Sequence, residues 1–452
     1  MTRAEPISRR RLLAGAAAVA GVPLLGACNA GPSSKAPSSG NTAAAGAVTI
    51  TMMFGIQDLT KEQIADFEAK NPGIKIQFLE NDPARLNAML ASGNPPDIVI
   101  GPAVGSSNNN ARGLATDLTP YLDKSQVLKK EDLQPINDSF RWDGSKIGQG
   151  GYYGIVKDFS QDATLWYNTA LFDKAKVPYL SDTEPTPYDE LLAIAKKLTI
   201  KDGGKTLVFG LGLEWAWSLI GPMATMILQQ GGQVYNADLT EIDFNSPAAR
   251  RAFQWYVDFA QAGVGPTSLN PLPDGSDMST FSAQRMAITQ DGYWFGGNYI
   301  EDKKMNGNIR MAPAPIMGDK RVSPSYGGQG AWIPAEAKHK DAAWKLMEYF
   351  MAGPPAEGRA KSGWGIPGLK SLASKLPQDL PYQKQAYAVA QNELQYAAPL
   401  PESPYITTDA CNAAIDKQLQ RAIKKELTVD AACAAVTVEI NKLLKQGKER
   451  IG

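Results

Sequence analysis

Nine tryptophans stand in this 452-residue chain, and their settings divide those that fill a core from those free to plate a ligand. A tryptophan face packs on C–H patches, while planar amides and carboxylates exchange hydrogen bonds with hydroxyls, so loop tryptophans and loop polar side chains are the residues to weigh as ligand contacts. Trp166, Trp255 and Trp344 sit inside apolar strand or helix patterns, and Trp332 lies between Ala331 and Ile333, so all four are expected in the core. Trp142, in a polar loop, fits either role. Trp215 and Trp217 follow a strand pattern over 207–213, Trp294 follows "TQDGY" in a Gly-rich turn, and Trp364 lies in "KSGWGIPG"; these are the candidate plates. Gln57, Glu80, Asn81, Asp158 and Asp291 are the candidate hydroxyl partners, with Glu214 behind them.

Bond-making chemistry finds less support. The one histidine, His339, stands in the polar run Lys338–Asp341 at a helix start, which removes Ser-His-Asp and Cys-His catalysis and His-rich metal sites. Gly203-Gly204-Lys205-Thr206 imitates the end of a phosphate loop, but its strand follows rather than precedes it, and a turn is expected. No Gly-x-Ser-x-Gly elbow occurs, and "GGQGAW" lacks the spacing of a dinucleotide site. No catalytic residue, metal ligand or cofactor is assigned. Loop carboxylates are numerous enough that an acid and base pair acting on glycosides remains an alternative.

The elements that must position these residues begin at Val48. Val48–Met53 reads as a strand; Thr60-Lys61-Glu62-Gln63 matches a capping box opening a helix with Ile64 and Phe67 on its apolar face. A second strand alternates over Ile74–Leu79, a helix runs through Leu86, Met89 and Leu90 to Gly93, and 97–100 reads as a buried strand. Strand, helix, strand, helix, strand implies a parallel sheet whose ligands bind beyond the carboxyl ends of the strands, at loops 55–58, 80–82 and 101–105. Further on, Ser246 caps a helix with Pro247 at its first position and Phe253, Tyr256 and Phe259 turned inward. Cys411 and Cys433 lie on the apolar stripes of two successive helices, with Thr428 as the cap between them. A plain hairpin offsets the two thiols by about 13 Å along its axis, too far for a disulfide, whereas steeply crossing helices allow one.

Ahead of the folded region, "SRRRLLAGAAAVAGVPLLGAC" puts three arginines before about 16 apolar or small residues broken by Gly15, Gly21 and Pro23. That is too short to span a bilayer and reads as an export signal over 1–27. The arginines resemble a twin-arginine signal, with general secretory export as the alternative, and Leu25-Gly26-Ala27-Cys28 resembles a lipoprotein box, making Cys28 the lipidated residue. Residues 28–47, rich in Gly, Pro, Ser and Ala, read as a flexible tether reaching about 25 Å. The 46 basic and 46 acidic residues cancel, so nothing favours a nucleic-acid partner.

"FEAKNPGIKIQFLE", "SGNPPDIVIG", "YYGIVKDFSQDATLWYNTALFDKAKV", "PTPYDELLAIAKKLT", "GQGAWIP" and "GIPGLKSL", in that order, resemble the extracellular solute-binding proteins of bacterial carbohydrate ABC importers. Two departures stand out: Pro187-Tyr188-Asp189 where many members have Thr-Trp-Asp, and Val156 where many have Pro. The resemblance implies a two-lobed α/β fold of the periplasmic-binding-protein type II, with a cleft between lobes joined by crossing strands. It places lobe 1 at 48–160 and 285–330 and lobe 2 at 161–284 and 331–452. The implied function is capture of a sugar or oligosaccharide and its delivery to a membrane ABC permease, by a monomer held to the outer face of the cytoplasmic membrane by its lipid. A non-sugar solute such as a polyamine, or a carbohydrate-active hydrolase, is the alternative.

Overall fold

The computed structural model describes residues 47–54, 59–213, 219–272, 276–326 and 328–451. The expected signal peptide, Cys28 and the tether lie outside these residues, as do Gln57, Glu214, Trp215 and Trp217. The principal strands, in chain order, are β1 (Val48–Met53), β2 (Ile74–Leu79), β3 (Ile98–Pro102), β4 (Ile155–Phe159), β5 (Leu165–Asn168), β6 (Gly212–Leu213), β7 (Ile288–Gln290), β8 (Ile309–Ala312), β9 (Gln329–Trp332) and β10 (Ile366–Pro367).

The first sheet runs β10-β4-β9-β3-β1-β2. Its opening is the parallel unit read from the sequence, with Val48 opposite Ile74 and Met52 opposite Ile98. The helix Lys61–Lys70 between β1 and β2 carries the expected capping box, Thr60 Oγ1 accepting from Gln63 N and Gln63 Oε1 from Thr60 N. Asp82 caps the next helix, Pro83–Ala91, by accepting from Ala84 N and Arg85 N. Ile50, Met52, Ile98, Ile100 and Ile155 form a core with Leu346, Met347 and Phe350 of the helix Lys340–Ala352.

The second sheet runs β6-β7-β5-β8. Leu165, Tyr167 and Ile288 bury one face against the helices Ile220–Gln229, Pro247–Ala262, Thr408–Ile423 and Val429–Ile451. Ser246 caps the second of these, and Phe253, Tyr256 and Phe259 are buried as expected. A third cluster bridges the sheets: Val156 and Trp332 of the first share it with Trp166 and Met311 of the second. The chain crosses between β4 and β5, and Asp162 on that crossing accepts from Tyr326 N at 2.6 Å and Ser325 Oγ at 3.2 Å, tying it to the return crossing before β9.

Sheet pairing corrects the expected lobe boundaries. β7 and β8, inside the 285–330 segment assigned to lobe 1, pair antiparallel with β5 in the second sheet. β9 and β10, inside the 331–452 segment or at its border, pair with β3 and β4 in the first. The reason is backbone satisfaction: β5 is buried on both faces and needs a partner along each edge, which β7 and β8 supply. The strand expected over 207–213 is also divided. Lys205–Val208 folds back on Ile200–Asp202 through Gly203 (φ 52°) and Gly204 (φ 83°), a left-handed pair that glycine adopts without strain, and only Gly212–Leu213 joins the second sheet. Cys411 and Cys433 are buried free thiols, and burial pushes them up to about 11 and about 12.

Candidate functional site

The site grows from the end of β4. Asp158 lies between Gln329 of β9 and Pro367 of β10, so its backbone is fixed on both sides. Its carboxylate meets Lys157 Nζ at 3.1 Å and stands 4.0 Å from Arg359 Nε, which leaves a nearly buried acid facing two cations. Arg359 is itself held over the Phe350 ring at 4.2 Å, so it is anchored in lobe 1. Gly365 passes over Asp158 so closely that a Cβ there would stand 3.1 Å from Asp158 Cβ. That close approach presents the preceding residue, Trp364, beside the acid, with 42% of its surface exposed.

Opposite stands the turn after β7, which belongs to the second sheet. Gly292 touches Ser160 and Asp162 with no room for a side chain, and its carbonyl accepts from Trp166 Nε1 at 2.8 Å. The next turn, Tyr293–Tyr299, is tied back by Trp294 N donating to Ser160 Oγ at 3.2 Å. Its half-buried Trp294 then reaches the Trp364 ring, centroids 5.4 Å apart and planes at 53°, while packing edge-on against Phe295 at 5.9 Å. Two tryptophans from different sheets therefore meet beside a charge-compensated carboxylate, one of them open to solvent. The arrangement offers an aromatic corner and hydrogen-bonding groups, the surface that a ring with polar edges would fill.

A second contact joins the lobes at the carboxyl end of β3. The backbone N–H of Gly105 donates to Glu402, and Asn108 Nδ2 donates to the carbonyl of Pro404 at 2.7 Å. Burial pushes the Glu402 carboxyl up to about 7, opposed by the hydrogen bonds from Gly105 and Ser107.

A family model for bacterial extracellular solute-binding proteins matches residues 55–354. The chain belongs to that family. Among the relatives of this solute-binding protein is the erythritol/L-threitol-binding protein of Mycolicibacterium smegmatis, 24% identical over 383 residues, covering 76% of this chain and 77% of the relative. The maltotriose-binding protein of Pyrococcus abyssi is 22% identical over 346 residues, 75% of this chain and 69% of its own. Among solved structures, an ABC substrate-binding protein from Listeria monocytogenes in complex with cycloalternan superposes with a TM-score of 0.72 at 22% identity, covering 87% of this chain and 98% of that one. A solute-binding protein from Thermotoga lettingae bound with α-D-tagatose gives 0.72 at 21% identity, covering 88% and 99%. These likenesses establish the two-lobed type II binding-protein fold, and family membership makes the chain an exported solute-binding protein.

Of the residues nominated from sequence, the fold of this solute-binding protein brings Asp158, Trp294 and Trp364 together. Glu80 and Asn81 are exposed loop residues after β2, four strand spacings from β4 and so about 19 Å away across the sheet. Asp291 does not serve as an open hydroxyl partner: it is fully buried, with Oδ1 accepting from Gly292 N at 2.8 Å, because the turn after β7 folds its side chain inward. Trp142, Trp166, Trp255, Trp332 and Trp344 are all buried. Sequence reasoning missed Lys157, Arg359 and Glu402. Lys157 had a signal, since a Lys-Asp pair at the end of a buried strand demands mutual compensation; Arg359, five residues before Trp364 on the helix Pro354–Ser362, had none.

Proposed function

We propose that this protein captures an extracellular sugar or oligosaccharide between its lobes and delivers it to a membrane ABC permease. The observation that carries the reading is the Trp294–Trp364 corner, assembled from both sheets next to Asp158. A saccharide ring supplies C–H faces for the two indoles and hydroxyls for the carboxylate. Asp158 already faces Lys157 and Arg359, and Asp291 is buried, so among the described residues the corner lacks the uncompensated carboxylates that a polyamine requires. The sugars and polyols named for its relatives support the same class.

The mechanism is a shift of a hinge equilibrium. Contacts made to both lobes at once exist only when the lobes are closed, so ligand favours closure, and the closed form is what a permease recognises. No bond is made or broken. Residues 1–27 direct export, through the twin-arginine route, and Cys28 carries the lipid that keeps a monomer beside its permease, on a leash spanning 28–47.

Thermal-shift screening followed by calorimetry against mono-, di- and oligosaccharides, with spermidine as a comparison, tests the reading. At least one saccharide should raise the melting temperature saturably and be recovered intact after incubation. Turnover of an oligosaccharide, or stabilisation by spermidine alone, would overturn it.

A further inference from the structure

At the crossing strands lies a cavity of about 200 Å³ that neither Trp294 nor Trp364 lines. Lobe 1 contributes Ile136, its neighbours and Phe159 at the end of β4, the first crossing Gln161, the return crossing Ser323, and the segment after the helix Pro381–Glu393 contributes Leu394 and Ala398. Its walls are apolar on the Ile136, Phe159 and Leu394 sides, and none of the described residues lining it carries a charge. Two polar side chains in the lining are nevertheless fully buried and incompletely bonded. Gln161 uses its amide nitrogen on the carbonyl of Ala390 at 3.3 Å, leaving Oε1 with no partner, and Ser323 Oγ has none either. Buried polar atoms are normally satisfied, so an unmatched acceptor and an unmatched hydroxyl on one cavity imply an occupant that donates to the first and pairs with the second. The space exceeds what one water needs several-fold. Ala397 and Pro399, also in the lining, are exposed, so the cavity is reachable from solvent.

We propose that this hinge cavity is a second binding site, for a small neutral polyol whose hydroxyls meet Gln161 Oε1 and Ser323 Oγ while its carbons lie on Ile136, Phe159 and Leu394. The absence of lining charge excludes ionic ligands by desolvation cost, and the volume excludes an oligosaccharide. An occupant touches lobe 1, both crossings and the strand Ala397–Pro399 paired with the return crossing, so the site lies where hinge bending changes its shape.

Glycerol is the probe, titrated into deuterated full-length mature protein while TROSY NMR follows the Gln161 side-chain amide and the Ala398 backbone amide. The shifts should saturate with a midpoint on the order of 10 mM, the scale open to so small a neutral molecule. D-glycerate should produce none. Ala398→Phe, which fills the cavity, should abolish saturation, Ser323→Ala should weaken it about threefold to tenfold, and Trp364→Ala should leave it unchanged. If Ala398→Phe fails to fold, as judged by its melting curve, Ser323→Ala decides. Shifts that stay linear to molar glycerol, that persist unchanged in the cavity variants, that follow Trp364, or that glycerate reproduces would each refute the site.

Discussion

Replacing Glu402 with glutamine should remove a pH-dependent loss of stability that the wild-type protein carries near neutrality. The carboxyl sits against the Gly105 N–H and is pushed by burial from its ordinary value of 4.5 to about 7. Below about pH 4.5 both the folded and unfolded chains hold this proton, and its contribution is fully present. Between 4.5 and 7 the unfolded chain releases the proton while the folded one keeps it, so stability falls as pH rises, and the fall is complete above about 7. A displacement of about 2.5 pH units at about 1.36 kcal/mol each bounds the effect near 3 kcal/mol. Asp138, Lys146, Asp238 and Lys448 share the adjoining interlobe cleft of about 530 Å³, and Tyr235 feels the Glu402 charge from the core side. Glutamine keeps the acceptor for Gly105 and cannot ionise. Urea unfolding at pH 5 and pH 8 should show the two proteins close at pH 5 and Glu402→Gln more stable by about 1–3 kcal/mol at pH 8. Parallel stability profiles for wild type and variant would refute the reasoning.

Trp294→Ala and Trp364→Ala should each weaken saccharide binding by about 1–3 kcal/mol in calorimetry, the cost of losing a stacking plate, with the fold retained; unchanged affinity in both would remove the corner from the ligand's path. Gly210→Ala should cost about 2–4 kcal/mol in urea unfolding, because the new Cβ would stand 1.9 Å from the carbonyl oxygen of Ala195, and near-wild-type stability would contradict that packing. Cys411 and Cys433 should resist alkylation at pH 8 in the folded protein and label fully in denaturant without reductant; a mass showing a disulfide would oppose the free-thiol geometry. Cys28→Ala should release the protein from cells into the medium, and retention on the membrane fraction would end the lipid-anchor proposal.

Sequence pattern resolved the elements whose signals are local. The capping box at Thr60, the Ser246 cap and the Gly203–Gly204 turn each rest on residues within a few positions of the backbone they fix. Lobe membership was harder, because β7 is three residues buried on both faces and carries no alternation to say which sheet it faces. Asp158 and Asp291 look alike in sequence, each an acid at a buried strand's end. Strand phase and a Gly292 N–H decide that the first stays beside Trp364 and the second turns inward. Glu402 gave no local sign at all, since its partner is 297 positions away and only the closed path of the chain brings them together.

β9 has a consequence for how such a protein is made and altered. It is the central strand of the first sheet, yet Gln329 must find Pro102 and Asp158 after the whole second sheet has been synthesised between them. Neither core is complete at any single truncation point: the first also awaits Phe350 and Leu369, and the second awaits helices ending near Ile451. A ribosome-bound or half-length chain therefore exposes apolar strand edges that only late residues cover, which favours slow, all-or-none maturation and penalises fragments. Exchanging one lobe between relatives means moving several disjoint segments together, so new ligand preferences arise more readily by substitution on the loops than by recombination of halves.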